Sequence, residues 1–295
     1  MELRVLKYFL VVADEGNITV AANRLHMTQP TLSRQLHDLE SELGQKLFVR
    51  KSHNIILTQE GIILRKRAEE IVALSDKTER EFKAMKNDMR GEVYIGSGET
   101  EAMDYIASAC SSVYKTFPGI RYHLYSGNAM DIIERLDKGL LDFGLLIHHR
   151  DIAKYDYVEF PVKDVFGVFT RRDSELAKKP CVTLDDIAAE PLIFSKQALE
   201  EKYEINDIAK WFGYAWNKLN IISTFNLRCN AAALARQGIG HIVSTGGRVD
   251  ISGDRELCFR EFEPKLEVGI VLVWKKDKIL SGAAELFLKR LKEII

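Results

Sequence analysis

The stretch from Gly16 to Gly44 constrains the fold more than any other, because helix-stopping residues enclose two short apolar patterns. Leu3, Leu6, Phe9, Leu10 and Ala13 recur at helical spacing and predict a first helix that ends at Gly16. Thr19 is the expected N-cap of a short second helix to Leu25, whose Ala21-Ala22 pair allows another helix to cross closely. After His26-Met27-Thr28, a third helix is predicted to run to Leu43 and stop at Gly44, with Thr28 as its cap and Pro30 in the first turn. Leu32, Leu36, Leu39 and Leu43 form its apolar stripe, and Gln29, Pro30, Thr31, Ser33, Arg34 and His37 lie opposite. A short helix, a turn and a longer helix with a polar N-terminal half is the helix-turn-helix arrangement, although polar helix faces are also common as plain solvated surface.

The chemistry of that face suits base reading: Gln pairs bidentately with adenine, Arg with guanine, and Ser or Thr with phosphates or bases. Leu47 to Leu57 reads as two short strands around a basic tip, a wing whose Arg50, Lys51 and His53 would reach phosphates or the minor groove. Net charge over the chain is −1, yet residues 24–67 hold eight Lys/Arg against four acids, the footprint of a phosphate-binding module.

From Thr58 to about Met89 no proline intervenes, and Leu64, Ala68, Ile71, Ser75, Thr78, Phe82, Met85 and Met89 follow alternating spacings of four and three. This predicts a dimerising helix, with packing on its own chain as the alternative. After Gly91, strands are expected at 93–96, 122–125, 143–147, 166–169 and 192–194, alternating with helices at 104–115, 130–138 and 227–237. That is an α/β pattern with mainly parallel sheets, in which ligands bind beyond the carboxyl ends of strands. Ser97, Gly98, Glu99, Thr100, Ser126, Asn128, His148, Ser195, Asn226 and Ser244 occupy such ends and are candidate ligand-binding residues.

The run Gly16-Asn17-Ile18-Thr19-Val20-Ala21-Ala22, then Thr28 to Leu36, Leu39-Glu40, Leu43-Gly44, Leu47 to Arg50, Leu57-Thr58 and Gly61 closely resembles the DNA-binding region of LysR-type transcriptional regulators. The likeness continues in Phe117-Pro118, Gly139-x-x-Asp142 and Gly238-Ile239-Gly240, so it spans essentially the whole chain. It implies operator contacts at Gln29, Pro30, Ser33 and Arg34, supported by Arg50, and antiparallel pairing of two linker helices in a homodimer or homotetramer. It also implies a two-lobed effector domain like periplasmic binding proteins, with hinges near Pro161–Asp164 and Pro264–Val268. His53 stands where the family commonly has arginine, which makes that wing contact weaker or pH-dependent.

The expected organisation is a mainly α winged helix-turn-helix at 1–57, a linker helix at 58–90, lobe I at 91–162 with 267–295, and lobe II at 163–266, α/β overall. Two acids at the first loop, Glu99 and Glu101, would repel an anion, so a neutral or cationic effector is expected. Double-stranded operator DNA is the expected partner, with RNA polymerase a further one if the output is activation.

Cysteines 110, 181, 229 and 258 are scattered, without metal-ligand spacing, and read as inert thiols, with a redox pair as the alternative. No metal, cofactor or catalytic residue is expected: Gly96-Ser97-Gly98 is too short for a nucleophile elbow or dinucleotide fingerprint. No run approaches the ~20 apolar residues of a membrane span, and the N-terminus lacks an apolar signal core, which points to the cytoplasm rather than to an exported binding protein.

Overall fold

The computed structural model describes residues 1–51, 54–85, 90–147, 153–200, 206–246, 256–276 and 278–295, and their side chains except at 50, 51, 81 and 83–85. The positions His53, Met89 and His148 therefore lie outside the described residues, as do the side chains of Arg50, Lys51 and Met85. The chain forms two compact units, Met1–Lys83 and Ala84–Ile295.

In the first unit, α1 (Leu3–Glu15), α2 (Ile18–Arg24) and α3 (Gln29–Leu43) are followed by an antiparallel pair, β1 (Phe48–Lys51) and β2 (Asn54–Leu57), and by α4 (Gln59–Met85). Gly16 and Gly44 end α1 and α3 at φ 59° and 66°, in the left-handed region that glycine enters without steric cost. Asn17, not Thr19, caps α2: its side chain accepts from Thr19 N and Val20 N at 2.9 and 3.2 Å. Asparagine outranks threonine at this position, and the helix starts two residues earlier than expected. Thr28 caps α3 by accepting from Thr31 N at 3.4 Å.

Leu32, Leu36 and Leu39 are buried with Phe9, Val12, Ala21, Ala22 and Leu47. Leu43 is 39% exposed, so the apolar stripe stops a turn early. Ala68 is fully buried in this same core and Leu64 packs against it. Those two residues of the expected dimer seam therefore face their own chain, because the first turns of α4 close the winged unit before any partner could use them.

Glu40 fastens α3 to the wing. Its Oε1 accepts from Leu47 N at 2.8 Å and Phe48 N at 3.4 Å, and Lys46 Nζ donates to Oε2 at 2.7 Å. Burial raises the pKa of this carboxyl, but the Lys46 and backbone donors outweigh it and hold Glu40 below its ordinary value. A depressed folded-state pKa contributes stability that is present above the unfolded value and is lost as pH falls through the folded one.

The second unit alternates strands and helices: β3 (Gly91–Ser97), α5 (Met103–Thr116), β4 (Ile120–Ser126), α6 (Ala129–Asp137), β5 (Phe143–Ile147) and β6 (Tyr155–Arg171). Then come α7 (Leu184–Ile187), β7 (Leu192–Ser195), α8 (Lys196–Glu200), α9 (Asp207–Phe212), β8 (Ile221–Phe225), α10 (Arg228–Arg236) and β9 (His241–Thr245). β10 (Leu257–Glu261), β11 (Glu267–Lys275) and α11 (Gly282–Ile294) complete it.

The strands run in the order β4-β3-β5-β11-β6-β9-β7-β8, with β10 on β6. Parallel ladders join β3 to β4 and β5, and β7 to β8 and β9. Every ladder made by β6 or β11 is antiparallel, so the sheet is mixed rather than mainly parallel. The difference comes from the 17-residue β6, of which only the last part reads as strand, because Pro161 and the charged Asp156, Glu159 and Lys163 interrupt the apolar pattern. The β6–β11 ladder shifts register opposite Pro161, between Gly269 and Val271, where a residue without an N–H is tolerated.

Two sets of cores follow. Val93, Ile95, Ile106, Phe143, Leu272 and Phe287 pack around the first half of the sheet. Val168, Leu192, Phe194, Phe212, Val243 and Phe262 pack around the second.

Glu40→Gln is expected to cost about 1–3 kcal/mol at neutral pH in urea unfolding, the scale of hydrogen bonds to an ionised group. The gap from wild type should narrow as pH falls below about 4, where the free carboxyl is itself protonated.

Candidate functional site

On the first unit, α3 turns Leu32, Leu36 and Leu39 into the core and leaves Thr28, Pro30, Thr31, Arg34 and His37 exposed, with Gln29 and Ser33 half-buried. Thr28 and Thr31 hydroxyls pair at 2.7 Å. Arg34 makes no hydrogen bond or ion pair with the described residues, so its guanidinium is free to pair bidentately with a guanine or a phosphate.

On the second unit, a cavity of about 190 Å³ opens where the two halves of the sheet meet. Of the sequence-predicted residues, Gly98, Glu99, Asn128, Ser195, Asn226 and Ser244 line it. Ser97, Thr100 and Ser126 do not. Ser97 turns its hydroxyl back to Gly98 O at 2.7 Å, Thr100 is buried, and Ser126 is exposed outside the wall. Much of the remaining wall is apolar, including Ile147, Phe166, Phe194 and Val268, a lining typical of small-molecule sites. Several polar wall residues are spoken for: Asn128 caps α6 through Asp131 N at 3.0 Å, and Asn226 Oδ1 accepts from Leu227 N at 2.9 Å.

Arg228, absent from the sequence-based candidates, organises the site. Its side chain is 2% exposed, donates to Thr245 O and, at 3.4 Å, to Ser244 Oγ, and lies 5.0 Å over the Phe169 ring. Its backbone N–H donates to Glu99 Oε2 at 2.8 Å, and its Nε is 3.7 Å from the same oxygen. Burial lowers its pKa, while Glu99 and Asp164 raise it. One signal for this residue exists in the sequence: a cation in the first turn of a helix opposes the helix dipole and calls for an acid close by.

Asp164, on β6, is buried, accepts from Glu101 N at 3.3 Å, and is pushed up from the ordinary carboxylate range, chiefly by burial. Glu101 is exposed and off the cavity wall. The two acids expected to repel an anion together are thus divided: Glu99 is tied to Arg228, and Glu101 faces elsewhere.

Two of the four thiols are held away from the thiolate, the nucleophilic form. Burial pushes Cys110 up to about 12, a bond to Glu99 raises Cys229, and Cys258 is buried. Among the described residues no cluster of three or more His, Cys, Asp or Glu could hold a metal, and no helix is long and apolar enough to cross a membrane.

Residues 3–62 match the bacterial regulatory helix-turn-helix protein, lysR family, and residues 86–294 match the LysR substrate binding domain. The chain belongs to the LysR family. It is a DNA-binding transcriptional regulator with a C-terminal effector-binding domain. Among LysR-type relatives, the HTH-type transcriptional regulator YvbU of Bacillus subtilis (strain 168) is 26% identical over 100% of this chain and 99% of its own. The DNA-binding transcriptional dual regulator OxyR of Escherichia coli (strain K12) is 28% identical over 72% of this chain and 68% of its own. Full-length CbnR, solved in complex with its target DNA, shares the fold at a TM-score of 0.75 and 21% identity, with all of both chains covered.

Arg228→Met is expected to destabilise the second unit by about 3–5 kcal/mol in thermal or chemical unfolding, because the buried Asp164 and the half-buried Glu99 would be left without their cation.

Proposed function

We propose that this chain reads operator DNA with the N-terminal half of α3 and answers to a small molecule in the cavity between lobes 91–162 with 267–295 and 163–266. The observation that carries the reading is an unpaired, exposed Arg34 beside Gln29, Pro30, Thr31 and Ser33, on a helix whose other face is anchored by three buried leucines. Arg50, Lys51 and His53 of the wing would add backbone or minor-groove contacts. The test is binding of the purified chain to its own upstream intergenic DNA, against scrambled DNA, across a salt titration. Arg34→Ala should weaken operator binding by about 1–3 kcal/mol and leave scrambled DNA nearly unchanged. An equal loss on both would reduce Arg34 to a phosphate contact, and no sequence preference on any DNA would overturn the reading.

A neutral or cationic effector fits the cavity best, because Glu99 and Asp207 are its only charged lining residues among those described. Ligand binding rather than a thiol switch is the favoured input, since Cys110 and Cys229 are held away from the thiolate. The protein would work in the cytoplasm without catalysis or a cofactor, and as an activator it would touch RNA polymerase.

Homodimers, or homotetramers built from them, would form along α4, where Ile71, Leu74 and Phe82 are exposed, at 41%, 43% and 64%, around Ser75 and Thr78. This stripe supports a seam that begins after Ala68. Leu74→Glu with Phe82→Glu is expected to convert the assembly to monomers in sedimentation equilibrium and to abolish tight operator binding, while the helix content of the chain stays intact.

A further inference from the structure

Two of the protein's own acceptors reach across the cavity. From the loop after β3, in the first half, Glu99 accepts the N–H of Arg228, the first residue of α10 in the second half, at 2.8 Å. From α8 in the second half, Gln197 accepts the N–H of Ala129, the first residue of α6 in the first half, at 3.1 Å. Both Glu99 and Gln197 line the cavity. Two of the helices that begin at the cavity, α6 and α10, thus have their first N–H taken by a side chain from the opposite half.

The α10 end is built for an anion. The N–H groups of its first turn carry the positive end of the helix dipole, and the same residue that opens the turn carries the Arg228 guanidinium, 1% exposed for the residue as a whole. A buried guanidinium requires a counter-charge. Among the described residues Glu99 and Asp164 are the carboxylates that act on it; Asp164 is buried, which pushes its carboxyl up from the ordinary range, while Glu99 stands at the cavity wall with Oε2 3.7 Å from Arg228 Nε. Of these two, Glu99 is the one that both lines the cavity and accepts the first N–H of α10.

We propose that Glu99 is a tethered ligand: its carboxylate fills from within the chain the position before Arg228 that a free carboxylate would take, and so bridges the two halves across the cavity. The consequence, which rests on the reading of this cavity as the effector site, is that the effector brings no carboxylate of its own to α10. It meets instead the apolar wall and the neutral amides and hydroxyls of Asn128, Ser195 and Asn226.

Truncation makes this testable, because Glu99→Ala removes a CH2–COO⁻ group that acetate replaces atom for atom. The purified full-length variant is expected to unfold at a lower temperature than wild type in sodium chloride. Replacing chloride by sodium acetate at equal ionic strength should restore much of that loss in a saturable manner, with wild type indifferent. Calorimetry should give acetate binding at least about tenfold tighter in the variant than in wild type.

Glu99→Gln, which keeps the acceptor and fills the space, should be weakened but show no acetate response. Restoration by chloride as effective as by acetate, an equal acetate response in Glu99→Gln, or acetate binding by wild type as tight as by Glu99→Ala would each overturn the proposal. Glu99→Ser gives the same readout should the alanine variant fail to fold, and absence of acetate rescue there overturns the proposal equally. The readout is stability and needs no DNA. A chain that binds its operator but shows no acetate complementation loses only the tethered ligand, whereas complementation in a chain that responds to no small molecule removes only the effector-site reading.

Discussion

The second unit depends on one antiparallel ladder, the pairing of β6 with β11 from Tyr155 opposite Lys275 to Val165 opposite Glu267. The first part of β6 and all of β11 complete one half of the sheet, while the last part of β6 turns to β9 and β10 in the other. Both cores thus hang on strands that neither owns alone. A ladder that changes partners along its length also fixes where a cavity must form, since Phe166 and Val268 lie at that changeover and both line it. The β6–β11 ladder carries fewer interstrand bonds at the register shift opposite Pro161 than along the rest of its length.

Placing Arg228 beside this changeover converts a weak spot into a defined one. Desolvating a guanidinium is costly, and it is offset only by close, well-aligned partners. Those partners include Thr245 and Ser244 at the end of β9, Glu99 after β3, and Asp164 on β6. Because Glu99 and Arg228 belong to different halves, separating the halves exposes a bond that must then be made to water. The same interaction that satisfies a buried charge therefore biases the relative arrangement of the halves, which is the kind of two-state element a bound molecule can shift.

What the sequence disclosed divides along the range of the forces involved. The helix-turn-helix was legible because its signals are local: Gly16, Gly44, Thr28 and the leucines of α3 act within a few residues of themselves. Errors there were small and had local causes, such as the stronger cap at Asn17. The ligand cavity was half legible. Loops at strand ends could be named, but which of them converge depends on the sheet order, so Ser126 was included and Gln197 was not. Arg228 and Glu99 are 129 residues apart, and no periodicity carries a pairing over that distance. Pro161 hid the first part of β6, and with it the antiparallel character of the centre of the sheet. Leu64 and Ala68 fit the heptad track as well as Ile71 does. Heptad spacing marks an apolar stripe without saying whose surface covers it, and here the winged unit itself covers the first turns.

That shared stripe has a mechanical consequence for the first unit. α4 is joined to the reading helix by more than chain continuity. Thr58 Oγ1 donates to Lys46 O at 2.7 Å and accepts from Gly61 N at 2.9 Å, so the start of α4 is hydrogen-bonded to the segment that Glu40 of α3 also holds. A Cβ at Gly61 would lie 2.2 Å from Leu47 O, so only glycine lets the helix approach the wing this closely. Farther along, Arg65 pairs with Asp14 at 2.6 Å and Lys7 with Asp76 at 2.8 Å, fixing α4 against α1 over several turns. Each exposed pair is individually weak, but they add direction to a contact already secured by Ala68 in the core. α1, α3, the wing and the first turns of α4 consequently move as one body. A change in how two copies of α4 meet would reach the polar face of α3 as a rotation of the whole reading unit, with no need for any internal rearrangement of it.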